Sequence, residues 1–256
     1  MGTVDIVTKE YMRENAIFAD AFNYLIYGGK KVIDPAGLTE VDTATSAVGK
    51  KDALQKYRDV LKAAVIKQDE KMSYVLLGVE NQTDVHYAMP VRNAIYALQY
   101  GKQVSDIAAG HRRSQKDYSG KTGGEYLSGF LKEDHIKPVI TLVIHFGAEE
   151  WDGPLSLHEM MPIRDMEILS YVENYRIHLI DPAKLTEEEL NKFSTSMREV
   201  MGYIKYSNNK EKLLDFLRTD THKSIEMNAA RVIKTITKTP IKISCLLYTS
   251  PSPRDS

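Results

Sequence analysis

Two apolar runs joined by a short polar stretch set the pattern of the chain. Val60 to Ile66 reads Val-Leu-Lys-Ala-Ala-Val-Ile, and the stretch from Tyr74 reads Tyr-Val-Leu-Leu-Gly-Val before turning polar at Glu80-Asn81-Gln82-Thr83-Asp84. Each run has the length of a buried strand, and Lys67 to Lys71 between them has the character of an antiparallel connection. Opposite positions in such a hairpin share one index sum. A turn centred between Asp69 and Glu70 therefore sets Asp59 against Glu80, with Cα atoms roughly 4.5–5.5 Å apart. Alternation with period two places Gln82 on the face of Glu80 and Asn81 on the other.

The remaining pattern frames this hairpin. Phe18, Phe22, Leu25 and Ile26 recur at helical spacing in a first helix from about Lys9 to Tyr27, stopped by Gly28-Gly29. Leu38 to Thr43 reads as a short third strand beside the hairpin, with Asp42 a spare acidic residue on it. Pro90 opens a helix carrying Val91, Ile95, Leu98 and Val104 on one face and running to about Ala109. Gly110 to Gly124 has no apolar period and reads as an exposed loop. Val139 to Phe146 reads as a central strand buried on both faces, and His145 near its end as a hydrogen-bonded core residue. A loop from Trp151 to His158 and a last strand, Tyr175 to Ile180, follow. Thr186 and Glu189 form a capping-box pattern ahead of a stripe made by Leu190, Phe193, Met197, Val200, Met201 and Ile204. Two short helices are expected near 210–218 and 222–237.

Composition narrows the class. With 256 residues, 43% of them hydrophobic, the chain suits a soluble protein of one large domain or a domain with an appendage. No apolar run approaches the ~20 residues of a membrane span, and no signal-peptide pattern opens the sequence, so a cytoplasmic protein without a membrane partner is expected. A net charge of -1 means that any DNA site must come from local charge rather than overall excess. The one cysteine, Cys245, begins Cys-Leu-Leu-Tyr-Thr-Ser-Pro-Ser-Pro-Arg-Asp-Ser, which reads as a translated sequencing adapter. With Cys245 to Ser256 set aside, disulfides, thiolate zinc sites and cysteine nucleophiles drop out.

Two facing carboxylates repel unless a cation lies between them, and a hard divalent ion with oxygen ligands and retained waters suits the gap. The alternative is that Asp59 and Glu80 are solvated strand ends. Arg92 and Tyr96, four apart near the carboxylate end of their helix, leave two readings open. The arginine either holds a phosphate or pairs with a structural carboxylate. Arg112, Arg113 and Lys116 lie in the most basic stretch, either a DNA clasp or a solvated surface.

These residues carry a resemblance. Asp59 followed by Glu80-Asn81-Gln82 resembles the Asp…Glu-x-Lys core of the PD-(D/E)XK nuclease superfamily, with glutamine in the last place. Arg58-Asp59-Val60-Leu61-Lys62, Gly78-Val79-Glu80-Asn81-Gln82, Tyr87-Ala88-Met89-Pro90-Val91-Arg92 and Trp151-Asp152-Gly153-Pro154-Leu155-Ser156-Leu157-His158 together resemble the Rpn family of recombination-promoting nucleases or putative transposases. The resemblance runs from the first helix to about Ser244.

It implies an α/β protein with a restriction-endonuclease-like mixed β-sheet flanked by helices and a C-terminal helical appendage. Residues 1–182 would form the nuclease-like domain, 183–244 the helical region, and 245–256 the adapter. The implied activity is metal-dependent hydrolysis of DNA phosphodiesters in recombination or mobile-element biology. The alternative is a catalytically weak DNA-binding or assembly module of such a system. The implied site is Asp59, Glu80 and Gln82, with Mg²⁺, or Mn²⁺ in its place, on Asp59, Glu80 and the main-chain carbonyl of Asn81. Asp20 and Asn23 are candidate contributors from the first helix, though either could simply face solvent. DNA is the expected partner, and the oligomeric state is open between monomer and homodimer.

Overall fold

A computed structural model describes residues 2–41, 44–45, 56–57, 59–68, 71–113, 121–218 and 225–238. Arg58, Asp42, the turn residues Asp69 and Glu70, Lys116, and Cys245 to Ser256 lie outside the described residues.

The helices α1 (Thr3–Arg13) and α2 (Asn15–Tyr27) come first, followed by strands β1 (Thr39–Glu40), β2 (Ala44–Thr45), β3 (Lys56–Tyr57), β4 (Val60–Gln68) and β5 (Lys71–Gln82). After the hairpin come α3 (Met89–Ile95), α4 (Leu98–Arg113), α5 (Gly123–Ser128), β6 (Val139–His145), α6 (Met166–Leu169) and β7 (His178–Ile180). The chain then continues through α7 (Glu187–Leu190), α8 (Met197–Tyr206), α9 (Lys210–Arg218) and α10 (Met227–Thr237). The main sheet has the order β1-β4-β5-β6-β7, with β1, β4 and β5 antiparallel to their neighbours and β5, β6 and β7 parallel. No helix among the described residues is long and apolar enough to cross a membrane.

The hairpin register is the expected one. Val60 pairs with Val79, and the ladder continues past the apolar runs to Gln68 opposite Lys71. β6 is buried on both faces, because Leu142 and Ile144 join the large core while Val143 joins a smaller cluster with Met89, Trp151 and Ile177. The short third strand pairs as expected, Thr39 lying opposite Ala63.

Three elements depart from expectation. The first helix is two, broken at Glu14, whose backbone is extended. Lys62, buried on β4, sends its ammonium group into the break, donating to the Arg13 carbonyl and the Asn15 side chain. A cation there satisfies the end of α1, where carbonyls lack partners and the helix dipole is negative. The helix opened by Pro90 is likewise two, interrupted at Tyr96–Ala97, and Val91 and Leu98 on its apolar face are exposed. The stripe from Leu190 to Ile204 is all buried, but Asn191 to Ser196 separates its short first helix from the second.

The C-terminal helices pack into the large core. Phe216, Ala229, Val232 and Ile233 belong to the same hydrophobic cluster as Tyr11, Phe18, Phe22, Leu77 and Leu142, and α10 packs on α1. Gly202 permits the closest approach within that layer, since a Cβ there would run into the Phe216 ring. Both residues are buried, so Gly202→Ala is expected to lose about 1–3 kcal/mol by overpacking, despite alanine's better helix propensity. Urea unfolding checks it, and an unchanged midpoint would show that the ring moves freely.

Candidate functional site

The parallel strands deliver their carboxyl ends to one edge of the sheet, the usual place for a ligand crevice in an α/β fold. A cleft of about 320 Å³ lies there, lined by Asp59, by Asn81 to His86 running off β5, by Arg92 of α3 and by Asp5 of α1. Asp59 and Glu80 continue the pairing register of β4 and β5, one step beyond Val60 and Val79.

The two carboxylates sit in different environments. Asp59 is half-buried, and its Oδ2 accepts the Asn81 main-chain N–H at 2.8 Å, while Oδ1 has no partner among the described residues. Burial pushes the Asp59 carboxyl above its usual range, opposed by the Asn81 N–H and by the charges of Lys9 and Arg92, and assisted by Asp5. Glu80 is 0% exposed. Its Oε2 lies 2.8 Å from Arg92 Nη2, and its Oε1 accepts a hydrogen bond from the Tyr96 hydroxyl. Arg92 also donates from Nε to Tyr96 at 3.3 Å. Burial and the neighbouring Glu80 charge both push the Tyr96 hydroxyl well up, so it is a proton donor at every physiological pH. For Arg92 burial works against the charge, but Glu80 and Tyr96 outweigh it.

Arg92 therefore pairs with a carboxylate, the second of the two readings, and that carboxylate is the candidate-site residue Glu80. Gln82 lines the cleft, but so does Asn81, while the wholly buried Glu80 lies behind the lining, so strict alternation does not hold through the end of β5. Among the described residues, both side-chain polar atoms of Asn81 and Nδ1 of His86 are buried without a hydrogen-bond partner. Asp5, Asp84 and His86 were not legible as cleft residues. For Asp84 the signal was its place in the polar run that follows Glu80.

The helix candidates lie elsewhere. Asp20 is buried and accepts from the N–H groups and hydroxyls of Ser194 and Thr195 at 2.7–3.0 Å. Asn23 clamps the turn after α2, accepting from the N–H groups of Val32 and Ile33 and donating to the Ile33 carbonyl. Neither lines the cleft, because both are committed to backbone that would otherwise be unsatisfied. Arg112 and Arg113 are exposed, but on the last turn of α4 rather than in a loop, since the helix continues through Gly110. His111 beside them is tied to Asp134 at 2.7 Å. His145 is a hydrogen-bonded core residue, set against the carbonyls of Gln82 and Glu149.

The donors suit a hard divalent cation. Asp59 Oδ1 lacks a partner among the described residues, Glu80 is in register with it, and the remaining lining offers oxygen and nitrogen rather than sulfur. Among the described residues no three His, Cys, Asp or Glu side chains form a cage. A cation here would rest on the two carboxylates, neutral oxygens and water, the coordination Mg²⁺ favours over a full protein cage.

A five-stranded mixed sheet flanked by helices, with an acidic cleft at the carboxyl ends of its parallel strands, defines an α/β protein of restriction-endonuclease-like architecture. Comparison with known families makes the assignment specific: the family described as "Putative transposase, YhgA-like" matches residues 38–230, and the chain belongs to it. No curated protein and no solved structure matches the chain. The family associates the chain with mobile-element biology and so with DNA.

Proposed function

We propose that the chain is a metal-dependent DNA endonuclease that hydrolyses phosphodiester bonds in the cleft beside β5. The observation that carries this reading is the pair Asp59, immediately before β4, and Glu80 on β5, one step beyond the Val60–Val79 pair, with Arg92 bound to the buried Glu80 and lining the cleft. Asp59, Glu80 and the main-chain carbonyl of Asn81 would hold Mg²⁺ or Mn²⁺. Such an ion supplies a bound water of lowered pKa and neutralises charge on the phosphate. Arg92 offers a planar fork of N–H donors for a phosphate oxygen. Gln82 can orient a water through its amide but cannot take a proton from it.

Supercoiled plasmid incubated with the purified chain and Mg²⁺ should be nicked, and chelator should stop the nicking. Glu80→Ala should abolish it. The second reading, a catalytically weak DNA-binding or assembly module, draws support from the enclosure of Glu80 by Arg92 and Tyr96 and from the amide at position 82. Plasmid binding by a folded protein, with no nicking in Mg²⁺ or Mn²⁺, would favour it over the first.

A further inference from the structure

We propose that Arg92 is a phosphate-operated latch on Glu80, so that the protein takes up its divalent cation tightly only when a phosphodiester is in the cleft. The inference rests on the site reading given under the proposed function and adds an order of events to it.

Glu80 is wholly buried, and a carboxylate removed from water requires compensation. Arg92 supplies the positive charge at 2.8 Å, and the Tyr96 hydroxyl supplies a neutral donor to the other oxygen. The Arg92 side chain is 24% exposed and lines the cleft together with Asp59, so the guanidinium occupies the ground between Glu80 and the open end of the site. A divalent ion that reaches both carboxylates competes with it, because two cations on one buried carboxylate repel each other at short range.

The guanidinium has an obvious alternative partner in the oxyanion of a phosphodiester, which it can bind through two parallel N–H donors. Once Arg92 turns to a phosphate, Tyr96 alone remains on Glu80 from this pair, and the buried charge then favours a cation. Cation and phosphodiester thus bind cooperatively, and by linkage each strengthens the other by the same factor. In the free protein only the small unlatched fraction is competent for the ion, and the apparent affinity is reduced by that fraction.

The test measures Mn²⁺ binding to the full chain by the electron paramagnetic resonance signal of free Mn²⁺, with and without a saturating thymidine octamer, after subtracting Mn²⁺ bound by the octamer alone. The octamer is expected to tighten Mn²⁺ binding at least tenfold in the wild type. Arg92→Gln, which leaves Glu80 an amide donor but no charge, is expected to bind Mn²⁺ at least tenfold more tightly than wild type without the octamer, and to gain less than threefold from it. Equal Mn²⁺ affinity in wild type and Arg92→Gln, lost in Asp59→Asn, would overturn the latch and leave the site reading standing. Absence of Mn²⁺ binding under every condition would overturn both. Should Arg92→Gln fail to give a cooperative thermal melt, the wild-type comparison decides alone, and an octamer that leaves Mn²⁺ affinity unchanged overturns the latch.

Discussion

Asp59→Asn is expected to lower Mg²⁺-dependent plasmid nicking at least about a hundredfold, equivalent to about 2.7 kcal/mol in the barrier, while leaving the fold intact. Asparagine has nearly the shape of aspartate and keeps an oxygen to accept the Asn81 N–H, so the local hydrogen bond survives. What it loses is the charge. That charge is held against the preference of its surroundings, since burial raises the Asp59 carboxyl above its ordinary value of 3.8. The folded state consequently binds the Asp59 proton more strongly than the unfolded state, and the stability this confers is lost as pH rises through the raised value. At neutral pH the ionised Asp59 counts against folding. Its neutral isostere should be as stable as wild type, within about 1 kcal/mol, or somewhat more stable. Nicking rates measured beside urea unfolding at pH 7 check both halves. Full nicking by a normally folded Asp59→Asn would remove Asp59 from the site.

Glu80 is not interchangeable with Asp59 in such an experiment. Its charge is matched by Arg92 at 2.8 Å, so removing it leaves a partly buried guanidinium unpaired, and a loss of nicking would mix chemistry with stability. Asp59 is therefore the cleaner test of chemistry, and Glu80→Ala carries weight only beside a stability measurement.

The register of the hairpin was legible because it depends on local features alone: two apolar runs, a polar centre and one index sum. Alternation did not foresee that Asn81 and Gln82 both line the cleft while Glu80 lies buried behind it. The helix breaks were not legible, because their partners come from afar. Glu14 interrupts the first helix where a lysine from β4 reaches the Arg13 carbonyl, and the break at Tyr96 coincides with the hydroxyl that meets Glu80. Helical periodicity reports which face is apolar and carries no information about a cation inserted between two turns. The Arg92–Glu80 pair was half legible. The spacing of Arg92 and Tyr96 put both near the carboxylate end of the sheet, but whether the guanidinium turned inward depended on the burial of Glu80, a property of the assembled fold. The helical region after residue 182 read as separate because its stripe is complete in itself. Its apolar side packs into the large core together with residues of α1 and α2.

Asp20→Ala is expected to destabilise the protein by about 3 kcal/mol without changing the nicking rate per folded molecule. Asp20 sits in α2, and its carboxylate receives the N–H groups and hydroxyls of Ser194 and Thr195, just ahead of α8 and 174 and 175 residues away in sequence. The two hydroxyls can turn to other acceptors once the carboxylate is gone, but the two N–H groups are fixed by the backbone. Each N–H group left without an acceptor costs roughly 1–3 kcal/mol, and the bonds to a charged acceptor are the stronger kind. Asp20→Asn should cost less than alanine, because one oxygen still accepts while the new NH₂ group faces donors. A drop in the urea midpoint in the order wild type, Asp20→Asn, Asp20→Ala, with nicking unchanged after correction for the folded fraction, is the expected result. A loss of nicking at wild-type stability would instead return Asp20 to the cleft, where its helix position first suggested it. The same ordering bears on how the chain closes its core, since this carboxylate ties the first buried helix to the loop that launches the C-terminal helices. With it removed, Tyr11 to Ser196 remains as a buried hydrogen bond joining α1 to that segment, at 3.1 Å between two neutral hydroxyls.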